Sequence, residues 1–348
     1  MRRLTKRLVS VCFAMLLGTG MVGGLSESVA ANNEKPEIWK FATIAPKGIG
    51  LGNSIRNIVI PAIEEGSDHT LKIDVYWGGV MGDEADYQQK MRLGQIQGTG
   101  ISGMAATIFC PEMSVLELPF MFNSWAEVDY IKKVMREDFE KLHEKYGYML
   151  AAWNDQGFDQ FYSNKWRLDK LEQFENAKFG SWYGEVEVKF LETLGANPIP
   201  VSVAEAVPAI RQKVADSMVG PSFYIVATQM YPNVKYVNPI NVRYSPAVIV
   251  IDLDRWNGVK DKYKQRYKDQ RFDIEAKIAK NLRSDSDKCL AAIIKYGAEE
   301  CHMAPEEVKI MKEKARTTWD YFTGKFYSRE LLDKLLGHLA TFREGQEK

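Results

Sequence analysis

The sequence predicts an α/β protein of two closely joined lobes with a helical tail. Two observations carry this. Strand-like and helix-like segments alternate in two successive runs, the pattern of helix-covered sheets. An apolar strand and a long polar helix then link the runs, with no repeat, low-complexity tract or Pro/Ser linker between them. At 348 residues the chain also exceeds one modest core.

The first run opens with the buried strand "EIWKFATIA". A Pro-Gly loop and the helical "NSIRNIVIPAIEEGS" follow, then the alternating strand "LKIDVYWGG". "GDEADYQQKMRLG" is a short helix started near Asp83 or Glu84 and stopped by Gly94. "IQGTGISG" is a strand, "WAEVDYIKKVMREDFEKLHEKYG" one long amphipathic helix, and "YMLAAWNDQG" a strand and turn. The second run begins with "AKFGSWYG". "EVEVKFLETLG" and "VAEAVPAIRQKV" are helical, with "NPIPV" extended between them. "DSMVGPSFYIVATQMYPNV" gives a strand, a turn and a helix, and "SPAVIVIDLD" a β-branched strand. From about Asp261 the chain reads as nearly all helix, apart from a short piece around Cys301.

The first thirty residues are a different object. "MRRLTKR" is basic, "LVSVCFAMLLGTGMVGGL" is apolar, and "SESVA" ends in the small residues of a cleavage site after Ala30. Residues 1–30 therefore read as a cleaved secretory signal. Removing them leaves three more acids than bases, so no basic surface for nucleic acid is expected. No later segment has about 18 uninterrupted apolar residues, so the mature chain is not expected to span a membrane. Export places Cys110, Cys289 and Cys301 in an oxidising space. A strand running back along its own helix would bring Cys301 beside Cys289, so a disulfide there and two buried free thiols are both open.

No catalytic or cofactor motif emerges. His69, His143, His302 and His338 show no zinc-type spacing, and each reads as a surface or capping residue. "GIGLGN" lacks the spacing of a dinucleotide loop and reads as a tight turn at a helix N-terminus. Asp155, Asp159, Glu185 and Glu187 lie near Trp153, Trp182 and Tyr183, the ingredients of a secreted carbohydrate-active enzyme using paired carboxylates. Nothing in the sequence fixes two of them at a working separation, and Glu185 and Glu187 cannot share a helix face.

Five stretches taken together carry a resemblance. They are "GGVMGDEADYQQKMRLGQIQGTGISG", "SVLELPFMFNSWAEVD", "LETLGANPIPV", "YPNVKYVNPINVRYSPAVIVID", and "APEEVKIM" with "RELLDKLLG". This order resembles the DctP-type solute-binding proteins of tripartite ATP-independent periplasmic (TRAP) transporters, across nearly the whole mature chain. The resemblance implies a two-lobed periplasmic-binding-protein fold, its lobes joined by crossing strands and a long hinge-spanning helix. Lobe 1 would be residues 31–156 plus 245–284, and lobe 2 residues 157–244 plus 285–348. It implies a monomer in the periplasm that closes on a small organic ligand and delivers it to a membrane permease, without catalysis or cofactor.

The departures from the family pattern concern the ligand. The family holds a carboxylate with arginines and an asparagine; here those positions are Asp159 in "GFDQFYSN", Gly180 in "AKFGSW" and Gly220 in "DSMVGP". A forked, buried carboxylate that loses its arginine loses about 3–5 kcal/mol, a factor of roughly 10² to 10³ or more. A simple dicarboxylate is therefore disfavoured, and an apolar, aromatic or cationic ligand is expected. Gly180 and Val203 would leave room, while Trp182, Tyr183, Phe223 and Tyr224 would offer rings, one of each neighbouring pair facing its lobe core instead. Ile44, Glu84 and Ser102 match positions lining the first lobe. Should the ligand prove acidic, Arg167, Arg211 and Arg243 are the bases to examine.

Overall fold

The structure is a computed structural model, and it describes residues 35–182 and 184–346. The signal-peptide reading falls on residues 1–30 and lies outside the described residues, as does Tyr183. The strands are β1 Glu37–Ala42, β2 Leu71–Tyr76, β3 Gly98–Ser102, β4 Tyr148–Ser163 and β5 Lys178–Ser181. They continue with β6 Asn197–Pro200, β7 Ser217–Pro221, β8 Tyr236–Asp252 and β9 Glu299–Glu300. Among the described residues they form one sheet in the order β2-β1-β3-β8-β4-β7-β5-β6, with β9 beside β8.

The strands β4 and β8 are long enough to serve both halves of this sheet. Residues Ala247–Ile251 of β8 pair with β3, and Asp159–Ser163 of β4 pair with β7. Between these pairings β4 and β8 run antiparallel to each other, with a register shift between Asp155 and Gly157 at the crossing. "YMLAAWNDQG" therefore does not end in a turn. The Asp-Gln-Gly signal marks a bulge, at which Gly157 takes φ 148°.

Each half of the sheet is covered on both faces, which is why its strands read as apolar runs. On the β2-β1-β3 half, Trp39, Phe41 and Ile249 face Ile274 and Ile278 of the helix Asp261–Tyr296. The opposite face buries Tyr87, Phe109, Ile131 and Phe139. On the β7-β5-β6 half, Phe161, Phe174, Phe179 and Phe190 form one core, while Tyr162, Trp182, Ile210 and Ile225 form the other.

The long helix ties the halves together. Its Glu275 accepts from the Trp153 backbone and pairs with buried Arg136, and its Arg283 holds Asp155. One turn further on, Ser286 bonds to Ser222 just beyond β7.

Three local expectations need correction. The amphipathic helix after Ser124 breaks at Met135 into Trp125–Val134 and Arg136–Lys145, because Met135 leaves the helical region (φ −108°, ψ 10°). His143 is fully buried rather than at the surface. Its Nδ1 lies 2.7 Å from the Phe139 carbonyl, and burial pushes its pKa down to about 4. Cys289 and Cys301 are free thiols. The chain after Gly297 follows β8, with the Cys301 N–H donating to the Val237 carbonyl, and does not return along the helix that carries Cys289.

Candidate ligand-binding site

A cavity of about 530 Å³ opens where the two halves of the sheet face each other. The strand ends and the helix starts that follow them line it, the usual place for ligands in α/β folds. One wall comes from the loop after β1 (Thr43 to Ile49), the Gly78–Glu84 turn and Ser102 at the end of β3. The opposite wall comes from Val203 and Val207 of the helix Val203–Arg211, and from Phe223, Tyr224 and Thr228 after β7. Asp155 and Gln156, at the bulge between the halves, close the back.

Most of this surface is apolar, and among the described residues no Lys, Arg or His lines it. Its acids are Asp83, Glu84 and Asp155. Asp83 caps the helix Glu84–Arg92 by accepting the Ala85 N–H at 3.2 Å. Asp155 is neutralised by Lys132 at 3.2 Å and Arg283 at 2.7 Å, and accepts the Tyr244 hydroxyl at 2.7 Å. Glu84 is 1% exposed and accepts both the N–H and the hydroxyl of Ser102. Burial pushes its carboxyl up to about 7, against the pull of the Ser102 donors.

The structure brings Ile44, Glu84, Ser102, Val203, Phe223 and Tyr224 to the cavity, and it leaves Asp159, Gly180, Trp182 and Gly220 outside its lining. Gly180 opens no space for a ligand. A Cβ there would lie 3.4 Å from Ala215, inside the lobe core. Trp182 packs behind the wall. Its indole N–H donates to the Val219 carbonyl at 3.1 Å, and its ring stacks on Tyr224 at a centroid distance of 4.2 Å. A Cβ added at Gly220 would lie 3.5 Å from the Trp182 indole. Tyr224 alone of this stack reaches the cavity, fixed by its hydroxyl bond to the Val203 carbonyl at 3.1 Å.

Asp159 is fully buried and faces Arg243, its cross-strand partner on β8. Arg243 Nε lies 2.7 Å from Asp159 Oδ2, and Nη2 lies 2.9 Å from Glu187 Oε2. The Ser245 hydroxyl donates to Asp159, and the Trp182 N–H to Glu187. A third acid, Glu117, stands beside them, 1% exposed, with no hydrogen bond to Oε1. Its Oε1 lies 2.1 Å from where a Cβ of Gly103 would be, so only glycine fits at that position. Burial pushes Glu117 up to about 8; Arg243 pulls it down, and Asp159 and Glu187 push it further up.

Sequence reasoning named Asp159, Glu187 and Arg243 separately and did not join them. It missed Glu117, Gln156 and Thr228 altogether. Asp159 and Glu187 do come together, but on one guanidinium and away from the cavity lining. Glu185, by contrast, is exposed and pairs with Lys325.

Residues 58–325 match the model of the bacterial extracellular solute-binding protein family 7, DctP. The chain belongs to this family. Its relatives include an uncharacterized Haemophilus influenzae protein, 29% identical over 57% of this chain and 60% of its own length. The sialic acid-binding periplasmic protein SiaP of Vibrio cholerae is 21% identical over 68% of this chain and 74% of its own. The chain spans 60%, 48% and 46% of the length of three curated relatives it matches. Among solved structures, the sugar acid binding protein of Advenella mimigardefordensis with galactonate superposes with a TM-score of 0.81 at 19% identity, over 88% of this chain and 99% of that one. A Haemophilus influenzae TRAP solute binding protein with L-gulonate gives 0.79 at 21% identity, over 87% and 99%. The fold is thus the two-lobed α/β architecture expected from the sequence. No helix among the described residues is long and apolar enough to cross a membrane.

Proposed function

We propose that this family 7 protein is the exported, periplasmic binding component of a TRAP-type transporter. It captures a small organic ligand between its lobes and hands it to the membrane permease. The ligand carries no carboxylate that needs an arginine; its body is apolar or aromatic. One observation carries this reading. Among the described residues no Lys, Arg or His lines the cavity, and Arg243, the cross-strand partner of Asp159, is held by Asp159 and Glu187 outside that lining. The solved relatives hold galactonate and L-gulonate, both carboxylates. In this chain, Arg243 is already engaged by the carboxylates of Asp159 and Glu187.

Mass spectrometry of the natively purified mature protein tests the reading. A neutral or cationic compound at near-equal stoichiometry is expected, and galactonate or succinate should not raise the melting temperature. A co-purified mono- or dicarboxylate would overturn it.

Capture by closure has its own contact. Phe223 from the β7 side rests on Gly50 from the β1 side. A Cβ on Gly50 would lie 2.2 Å from Phe223 Cζ, and Gly50 sits at φ 53°. Alanine would add left-handed backbone strain of roughly 1–2 kcal/mol and displace the ring. Gly50→Ala is therefore expected to weaken binding of the co-purified ligand by about tenfold or more. Unchanged affinity would show that closure does not use this contact.

A further inference from the structure

We infer that the ligand carries a protonated amine and that Glu84 receives it. This deepens the reading of the cavity given above and rests on it. Glu84 begins the helix Glu84–Arg92, and its carboxyl is turned into the cavity wall rather than out to water. Its oxygens accept only from Ser102, through the N–H at 2.9 Å and the hydroxyl, and both donors are neutral.

Most of the other buried acids have a cation of the protein beside them. Asp155 has Lys132 and Arg283, Glu127 has Arg343, Glu275 has Arg136, and Asp159 and Glu187 share Arg243. Among the described residues, Glu84, Glu117 and Asp216 are buried acids with no ion-pair partner, and of these three only Glu84 lines the cavity. A desolvated carboxylate without a cation is costly, so it either keeps a proton or takes a cation from outside. An ammonium group is the cation this cavity suits. Phe223 and Tyr224 on the opposite wall supply aromatic surface for an attached apolar body. Among the described residues no base lines the cavity beside Glu84, and Asp83 adds negative potential at the same wall, while Asp155 is already held by Lys132 and Arg283.

The charged and titratable groups around Glu84 fix the pH dependence. Asp83, Asp86 and Tyr87 are on or beside its own helix, Ser102 is on β3, and Asp155 with Lys132 and Arg283 stands at the back of the cavity. None of them supplies Glu84 with a cation. With its carboxyl pushed up to about 7, Glu84 gives up a proton as the ammonium arrives. Amine affinity therefore falls as the pH drops, by roughly tenfold or more between pH 7.5 and 5.5.

Matched probes test this on the mature wild-type protein by titration calorimetry: 2-phenylethylamine, 2-phenylethanol and phenylacetate, then tryptamine, tryptophol and indole-3-acetate. At pH 7.5 at least one amine should bind about tenfold or more tighter than its alcohol, and the acids should not bind. Glu84→Gln, confirmed folded by its melting curve, should lose that preference and remove the pH dependence. Amines that bind no better than their alcohols, or an amine preference that survives in Glu84→Gln, would overturn the assignment. Tight binding of the acids would instead overturn the carboxylate-free reading on which it rests.

Discussion

Arg243→Met is expected to destabilise the protein by about 3–5 kcal/mol. Arg243 is 3% exposed, and the acids around it, Asp159, Glu187 and Glu117, are 0%, 2% and 1% exposed. Methionine fills much of the volume but removes the one guanidinium facing these acids. Ser245 and the Trp182 N–H still serve Asp159 and Glu187, so hydrogen bonds remain while the positive charge is lost. The cluster joins β4, β8 and the helix Glu185–Thr193, so its failure should loosen the crossing between the lobes. Urea unfolding at neutral pH measures the loss. Adding Asp159→Asn and Glu187→Gln to Arg243→Met should recover most of it, because neutralising a whole buried network costs far less than breaking it. A loss under about 1 kcal/mol in the single variant would show that the charges are not held by Arg243 as the geometry implies.

This cluster also marks where the sequence stops being readable. The absence of charge from Phe179 to Gly184 and the acid at Asp159 were both visible in the chain. The partner of Asp159 was not visible, because Arg243 lies 84 residues away and reaches it only through the pairing of two crossing strands. The crossing itself was hidden by the Asp155-Gln156-Gly157 signal, which a bulge and a turn share. Which of Trp182 and Tyr183 enters the lobe core was not legible in the chain either. β5 ends at Ser181, so the indole is placed by its bond to the Val219 carbonyl and not by the pleat.

The cavity wall was more legible. Ile44, Glu84, Ser102, Val203, Phe223 and Tyr224 sit at strand ends or first turns, and segment order locates such positions well. The two lobes followed from the two runs of strands and helices. Asp155 and Gln156 line the back because the bulge turns them there, a placement that depends on the register of β4 against β8.

Glu117→Gln is expected to stabilise the protein in a pH-dependent way. The Glu117 carboxyl has an ordinary value of 4.5 and is pushed up to about 8 in the fold, by burial first and then by Asp159 and Glu187, with Arg243 opposing. Below pH 4.5 it is protonated in folded and unfolded chains alike and contributes no penalty. Between 4.5 and about 8 the unfolded chain releases the proton and the folded chain keeps it. The unfolded state then binds fewer protons, so stability falls across that window and levels off above it. Glutamine keeps the shape of the protonated acid and does not titrate. The variant should match wild type near pH 4.5 and exceed it by about 2–5 kcal/mol near pH 8, with the difference growing steadily between. Paired urea melts from pH 4.5 to 8.5 isolate this effect, because the other titrating groups are common to both proteins. Parallel curves would mean that Glu117 is ionised in the folded state. The cluster would then hold three carboxylates on one guanidinium, and Arg243→Met would have to be far more damaging than stated above.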